Sequence, residues 1–194
     1  TGTFDGQGHP INGLTRTGAT GGAGLFGYIN AASQNTVAVK NLKLVGSITG
    51  SLSWGGGLVG TFQRGIIENC FVDVDIATEA GLRVGGFVGV NSEETSPNQT
   101  TIRHCISVGQ VRTGDNVATA GAFVIANNAS IQYCFADQTT SGCDKLAVFG
   151  DTIATCALYT TTEMQTAATF TDEMLPDAVW TKQDGSYPAL KVQE

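Results

Sequence analysis

Two aspartates, five cysteines, two histidines and one tryptophan are the residues whose types and spacing invite a chemical reading. Asp73 and Asp75 alternate with Val72, Val74 and Ile76. On a strand, a spacing of two puts both carboxylates on one face. Such a pair on an outer face could hold calcium, or act as acid and base in polysaccharide cleavage. The equivalent positions in neighbouring repeats, aligned below, carry Val45 and Ser47, then Val108 and Gln110. No third acid and no partner Lys or Arg stacks beside the pair, so a solvated strand face accounts for it better. Trp54 precedes Gly55-Gly56-Gly57; an indole at a turn between coils could stack on a sugar ring or close a gap between loops. Glu93-Glu94 reads as a solubilising loop pair. His9 and His104 stand alone, which leaves no Ser/His/Asp or Cys/His constellation to assemble. The cysteines are Cys70, Cys105, Cys134, Cys143 and Cys156, with no Cys-x-x-Cys pair among them. No metal site and no cofactor is expected from that spacing.

The elements that must position these residues come from an internal repeat. Gly24-Leu25-Phe26-Gly27 returns as Gly57-Leu58-Val59-Gly60 and Gly86-Phe87-Val88-Gly89, then in degraded form as Ala122-Phe123-Val124-Ile125 and Ala147-Val148-Phe149-Gly150. A second motif follows each copy: Val39-Lys40-Asn41-Leu42, Ile67-Glu68-Asn69-Cys70, Ile102-Arg103-His104-Cys105, Ile131-Gln132-Tyr133-Cys134 and, weakly, Ala154-Thr155-Cys156. A third segment alternates with period two, as in Val72, Val74 and Ile76, and returns as Leu44, Gly46, Ile48 and as Ser107, Gly109, Val111. Each unit thus predicts two or three strands of four to seven residues, punctuated by Gly, Asn, Thr and Ser. One such unit cannot bury its apolar face alone, so units must stack. They are too short for propeller blades. The expectation is an all-β chain: a right-handed parallel β-helix of about five coils with a short C-terminal helix and loop cap. Residues 1–20 form the first coil, 21–160 the repeats and 161–194 the cap, in a single domain over 1–194. The cap expectation rests on a short helix at Thr162–Ala168, with Thr161 or Thr162 as N-cap, and on Phe170, Met174, Leu175, Trp180, Tyr187 and Leu190 folding over the last coil. The stretch Asn91 to Thr101 is the clearest inserted loop.

In such a stack equivalent residues lie about 4.8 Å apart. Cys70, Cys105, Cys134 and Cys156 share one repeat position, held by Leu42 in the preceding unit. They predict an inward ladder of thiols that behave as small buried hydrophobes. A disulfide between rungs is the alternative, although it would distort an in-register parallel pair. Cys143 lies outside the ladder, either free or bridged to Cys156.

Composition agrees with a solenoid. The chain has 194 residues, 26 of them Gly and 4 Pro, and charged residues are 14% against about 25% in ordinary domains. Gly costs about 1 kcal/mol per interior helix position, which excludes a helical bundle. The formal charge is −7 and the ten cations are scattered, so no nucleic-acid-binding face is expected. No apolar run reaches the roughly 18 residues of a membrane span. The chain begins mid-pattern at Thr1-Gly2-Thr3-Phe4 and reads as a mature or trimmed segment, with further domains or an anchor expected in a full-length protein.

The Gly-Leu-x-Gly core followed by Ile-x-Asn-Cys resembles the Glug motif of bacterial surface proteins. The opening Gly2-Thr3-Phe4-Asp5-Gly6-Gln7-Gly8-His9-Pro10-Ile11-Asn12-Gly13-Leu14 is similar to the segment that precedes Glug repeats. The ending, Val179-Trp180-Thr181 and Asp184-Gly185-Ser186-Tyr187-Pro188-Ala189-Leu190, is similar to their closure. The resemblance covers nearly the whole chain. It implies an extracellular or cell-surface bacterial module of adhesin type, non-enzymatic, with a glycan or a host surface protein as partner. Trp54, Asp73 and Asp75 are then the candidate binding residues. The alternatives are a β-helical polysaccharide lyase or hydrolase, and a structural spacer without ligand.

Overall fold

The structure is a computed structural model, and it describes residues 2–31, 37–79, 83–91, 100–114, 120–150, 153 and 155–193. The Glu93-Glu94 loop lies outside the described residues. The chain is an all-β parallel solenoid whose coils have three sides. The first coil contributes β1 (Gly2–Asp5), β2 (Pro10–Ala23) and β3 (Phe26–Asn30). The second uses β4 (Val37–Gly56) and the start of β5 (Val59–Thr78). The third takes the rest of β5, then β6 (Val84–Gly85) and β7 (Val88–Asn91). The fourth has β8 (Thr100–Arg103), β9 (Ile106–Ser107), β10 (Val111–Thr113), β11 (Ala120–Gly121) and β12 (Val124–Asn127). The fifth has β13 (Ser130–Gln132), β14 (Phe135–Asp137), the short helix α1 (Gln138–Ser141) and β15 (Ala147–Gly150). β16 (Ala157–Tyr159) begins a further rung. The second, third and fourth coils are sandwiched between neighbours, while the first and last are terminal. The expected five coils thus resolve into about three fully enclosed turns and two ends.

The register confirms the aligned repeats. Phe4, Val39, Ile67, Ile102 and Ile131 stack in one column. Leu44, Gly46 and Ile48 pair with Val72, Val74 and Ile76, and Ser107 and Val111 continue the first and last of those columns. Two expectations change. The strands β4 and β5 run 20 residues each, because their ladder continues through a corner instead of stopping there. That corner is one left-handed residue per coil: Asn41, Asn69, His104 and Tyr133 all have φ of 51–54°. Asn tolerates this region better than most residues. The second change is in the fifth coil. Phe123 donates its amide to Leu146 O and Val124 pairs with Ala147, so Lys145-Leu146-Ala147-Val148 is the fifth copy of the corner motif, two residues before the aligned one. Leu146 extends the apolar column Leu58, Phe87, Phe123, whose two phenylalanine rings stack at 4.5 Å. Core volume sets this register, and Gly150 falls opposite Asn127 instead.

The other corner needs glycine for space. A Cβ on Gly60 would lie 2.7 Å from Gly27 O and 2.8 Å from Ala23 N, against the coil below. The thiol column is present and faces inward. Cys70, Cys105 and Cys134 are fully buried and all five cysteines are unpaired, so neither disulfide alternative occurs. Each of these three thiols donates to the carbonyl two residues back, those of Glu68, Arg103 and Gln132, at 3.3, 3.1 and 3.3 Å.

The C-terminal segment lies along a flank instead of folding only over the last coil. Its helix α2 is Thr161–Met164 and starts one residue early, because Thr160 and Glu163 close a reciprocal capping box. A 3₁₀ turn at Ala167–Thr169 and the hairpin of β17 (Trp180–Thr181) and β18 (Ala189–Leu190) follow. Met164, Phe170, Leu175 and Trp180 bury the outward side chains Phe71, Ile106, Val108 and Phe135 of three successive coils. The strap reaches the first coil, where the Gln193 amide donates to Gln7 O at 2.9 Å. Among the described residues β1 and β2 pair only with β4, and β16 only with β14, so strand pairing covers neither end of the stack.

Asp137 fastens the strap. It is fully buried and accepts from the Thr140 amide at 2.9 Å, Thr161 Oγ1 at 2.7 Å and Tyr187 OH at 2.6 Å. Asp137→Ala leaves these donors unmatched and is expected to cost about 3 kcal/mol in urea denaturation, at the upper end for an unsatisfied buried group. A loss below about 1 kcal/mol would show that the strap is held by its apolar contacts alone. Gly60→Ala is expected to lower stability by about 2 kcal/mol through overpacking against backbone, and an unchanged melting temperature would refute the tight corner.

Candidate functional site

Asp73 and Asp75 sit on one face of β5, opposite Val45 and Ser47 of the coil below. Asp75 Oδ1 accepts the Gln110 amide at 2.9 Å. That contact gives it a structural task at the site where β9 and β10 separate. Burial, then the neighbouring Asp75 charge, raises the Asp73 carboxyl above its ordinary value, and Lys43 opposes both. Lys43 itself lies over the Phe71 ring, 5.4 Å from its centroid. No group of three or more His, Cys, Asp and Glu that could hold a metal occurs among the described residues. The pair is where its spacing put it, but contrary to expectation a cation, Lys43 from the coil below, stands near enough to act on Asp73.

Trp54 lies near the end of β4, paired with Gly22 below, just ahead of the glycine corner. Its ring is 37% exposed and is not alone. The Arg83 guanidinium lies 5.5 Å from the Trp54 ring centroid and 5.0 Å from that of Phe149. Phe149 is 47% exposed on β15, three coils above Trp54. Its column continues down the third side of the solenoid through Ala126, Val90 and Thr61 to Tyr28. Tyr28 is 57% exposed, and its hydroxyl is bound to Gln63 and to Asn30 Nδ2, the latter at 3.2 Å. Asn30 Nδ2 also donates to Gln63 Oε1 at 3.1 Å. Three of the five exposed large apolar side chains among the described residues thus gather on or beside one sheet face. Four rung steps of about 4.8 Å separate Tyr28 from Phe149, roughly 19 Å. Half-buried Thr61, Val90 and Ala126 floor the space between them.

Of this group the sequence reading reached only Trp54. Tyr28 and Phe149 share a repeat column, and Arg83 stands at the repeat position of Trp54, but neither column keeps one residue type from coil to coil. The aligned column Tyr28, Thr61, Val90 could have been read from the repeat, since each is the residue after the second motif glycine.

The thiol ladder ends at a different kind of place. Cys156 is the last rung and only partly buried. It lines a cavity of about 420 Å³ at the open end of the stack, with Leu146, Val148, Phe149, Ile153 and Leu158. The Cys134 amide donates to its sulfur at 3.3 Å. Hydrogen bonding from Cys134 holds the Cys156 thiol below its ordinary value, against the effect of burial. Burial raises Cys70, Cys105 and Cys134 well above theirs and pushes Cys143 up to about 11.

No family model matches the chain, and neither a curated protein nor a solved structure matches it. No helix among the described residues is long and apolar enough to cross a membrane.

The thiolate is the reactive form of cysteine, so reactivity follows exposure and acidity. An aromatic disulfide reagent at pH 8 is expected to modify one thiol of the folded protein at least tenfold faster than the other four, and Cys156→Ser should abolish that phase. Five equal rates in the native state would contradict the inward ladder.

Proposed function

We propose that this chain is a non-enzymatic, extracellular repeat module of adhesin type that binds a glycan along the third side of its solenoid. The observation that carries this reading is the column from Tyr28 to Phe149 with Trp54 beside it. Aromatic rings on a rigid face offer flat apolar surface with a polar edge or handle for stacking. Sugar rings offer such a partner, with apolar C–H faces for the rings and hydroxyls for Asn30, Gln63 and Thr61. The likeness of the repeats to Glug segments supports a cell-surface setting and a bacterial source. A host surface protein is the other occupant this reading admits. Asp73 and Asp75 play no part in it.

The test is a glycan array followed by calorimetry on the strongest ligand. Tyr28→Ala and Phe149→Ala are each expected to weaken binding about tenfold while leaving the melting temperature within a degree or two, since both rings are exposed. An array that stays silent at high protein concentration would favour a structural spacer. Cleavage of a polysaccharide that is lost with Asp73→Asn would replace this reading with a carbohydrate-active enzyme.

A further inference from the structure

Arg83 has a setting that a purely neutral glycan would not use. The ion pairs among the described residues join Lys40 to Asp5, Arg103 to Glu68 and Lys182 to Asp177, and none includes Arg83. Its guanidinium is instead laid against two aromatic rings, those of Trp54 and Phe149. Gly55 pairs with Val84, so Trp54 and Arg83 are neighbours on adjacent rungs. Phe149 stands two coils higher, and the arginine side chain therefore runs along the stack to reach it. Both rings lie within cation–π distance of the guanidinium. They leave its N–H donors without a carboxylate partner among the described residues. Guanidinium presents those donors as a fork matched to a planar carboxylate.

We propose that Arg83, with Trp54 and Phe149, forms a subsite for the carboxylate of an acidic sugar, in an oligosaccharide that extends toward Tyr28. This rests on the glycan-binding reading above and names the class of glycan. The carboxylate takes the guanidinium fork. Rings adjoining it along the chain lie over Val90, Thr61 and the Tyr28 ring, where Asn30 and Gln63 meet hydroxyls. An acidic peptide fits the face less well. The strands beneath, β5, β7 and β12, are each paired on both edges. Their backbone groups are used within the stack, so a peptide lying across these inner strands could not add to them as a strand. Recognition must come from side chains, and the side chains supplied are aromatic rings, amides, a hydroxyl and one cation.

The experiment is titration calorimetry with a uronic-acid oligomer and with its methyl ester, which has the same ring faces without the charge. The oligomer is expected to bind at least tenfold more tightly than the ester at low salt, and the gap should narrow at high salt. Arg83→Ala should bring the two affinities together, by weakening the oligomer at least tenfold more than the ester. Arg83→Gln keeps most of the side chain's packing and should behave the same way, which separates lost charge from lost contact. Binding should shift the emission of Trp54 while Trp180, 1% exposed, serves as an internal reference. Equal affinities for oligomer and ester, both weakened by Tyr28→Ala, would overturn the acidic-sugar assignment and leave the glycan reading standing. Binding of neither, alongside a silent array, would overturn both. An oligoglutamate that binds as tightly as the uronic-acid oligomer, and as sensitively to Arg83→Ala, would overturn the sugar in favour of an acidic peptide.

Discussion

In-register parallel pairing is the constraint on which the rest of this structure depends. It places each residue about 4.8 Å above its counterpart in the previous coil, so a side chain must suit its column as well as its coil. The glycine corner shows the strictest form. Gly60 has no room for a Cβ because the backbone of the coil below, at Gly27 and Ala23, is already there. The thiol column shows a second form. Cysteine fills a narrow apolar column and also donates weakly to the carbonyl two residues back. Leucine takes the same position at Leu42 on packing alone.

That constraint decides what can be read from sequence. Columns filled by one residue type are legible, as with Ile67, Ile102 and Ile131 or Cys70, Cys105 and Cys134. Columns with mixed occupants are not. The left-handed corner passes from Asn41 and Asn69 to His104 and Tyr133, which keep its conformation but stack as rings at 5.4 Å. The shift in the fifth coil was hidden for a related reason. Val148-Phe149-Gly150 imitates the motif in letters, whereas Leu146 supplies the volume that the Phe87–Phe123 column requires. The Arg83 cluster follows the same rule: the column shared by Trp54 and Arg83 changes residue type from one coil to the next, and Phe149 enters its column only through the shifted fifth coil.

The strap left a signal that alternation explains. A strand with one solvated face should place a polar residue after each inward cysteine. Here the sequence gives Cys70-Phe71, Cys105-Ile106 and Cys134-Phe135, apolar on both faces. Strands covered on both sides read this way. The outward members of these pairs are the surface that Leu175, Phe170 and Trp180 bury. The strap thereby ties the last coil to the first and spans the stack lengthwise. Interactions between neighbouring coils are local, and a repeat array can lose its end coils separately. A segment bonded to Asp137 at one end and to Gln7 at the other couples coils that do not touch.

The three sides of the solenoid are consequently unlike, and the difference bears on function. On the first, Lys40 with Asp5 and Arg103 with Glu68 form ion pairs across rungs. Such pairs are well solvated and contribute little to stability or to recognition. The second is largely taken up by the strap. The third holds Tyr28 and Phe149 in one column with Trp54 and Arg83 alongside. Nothing in building a solenoid requires aromatic rings there, since Thr61, Val90 and Ala126 serve the same column in the coils between. Packing therefore explains the glycines, the thiols and the strap, and it does not by itself account for the rings of Tyr28, Trp54 and Phe149 around Arg83.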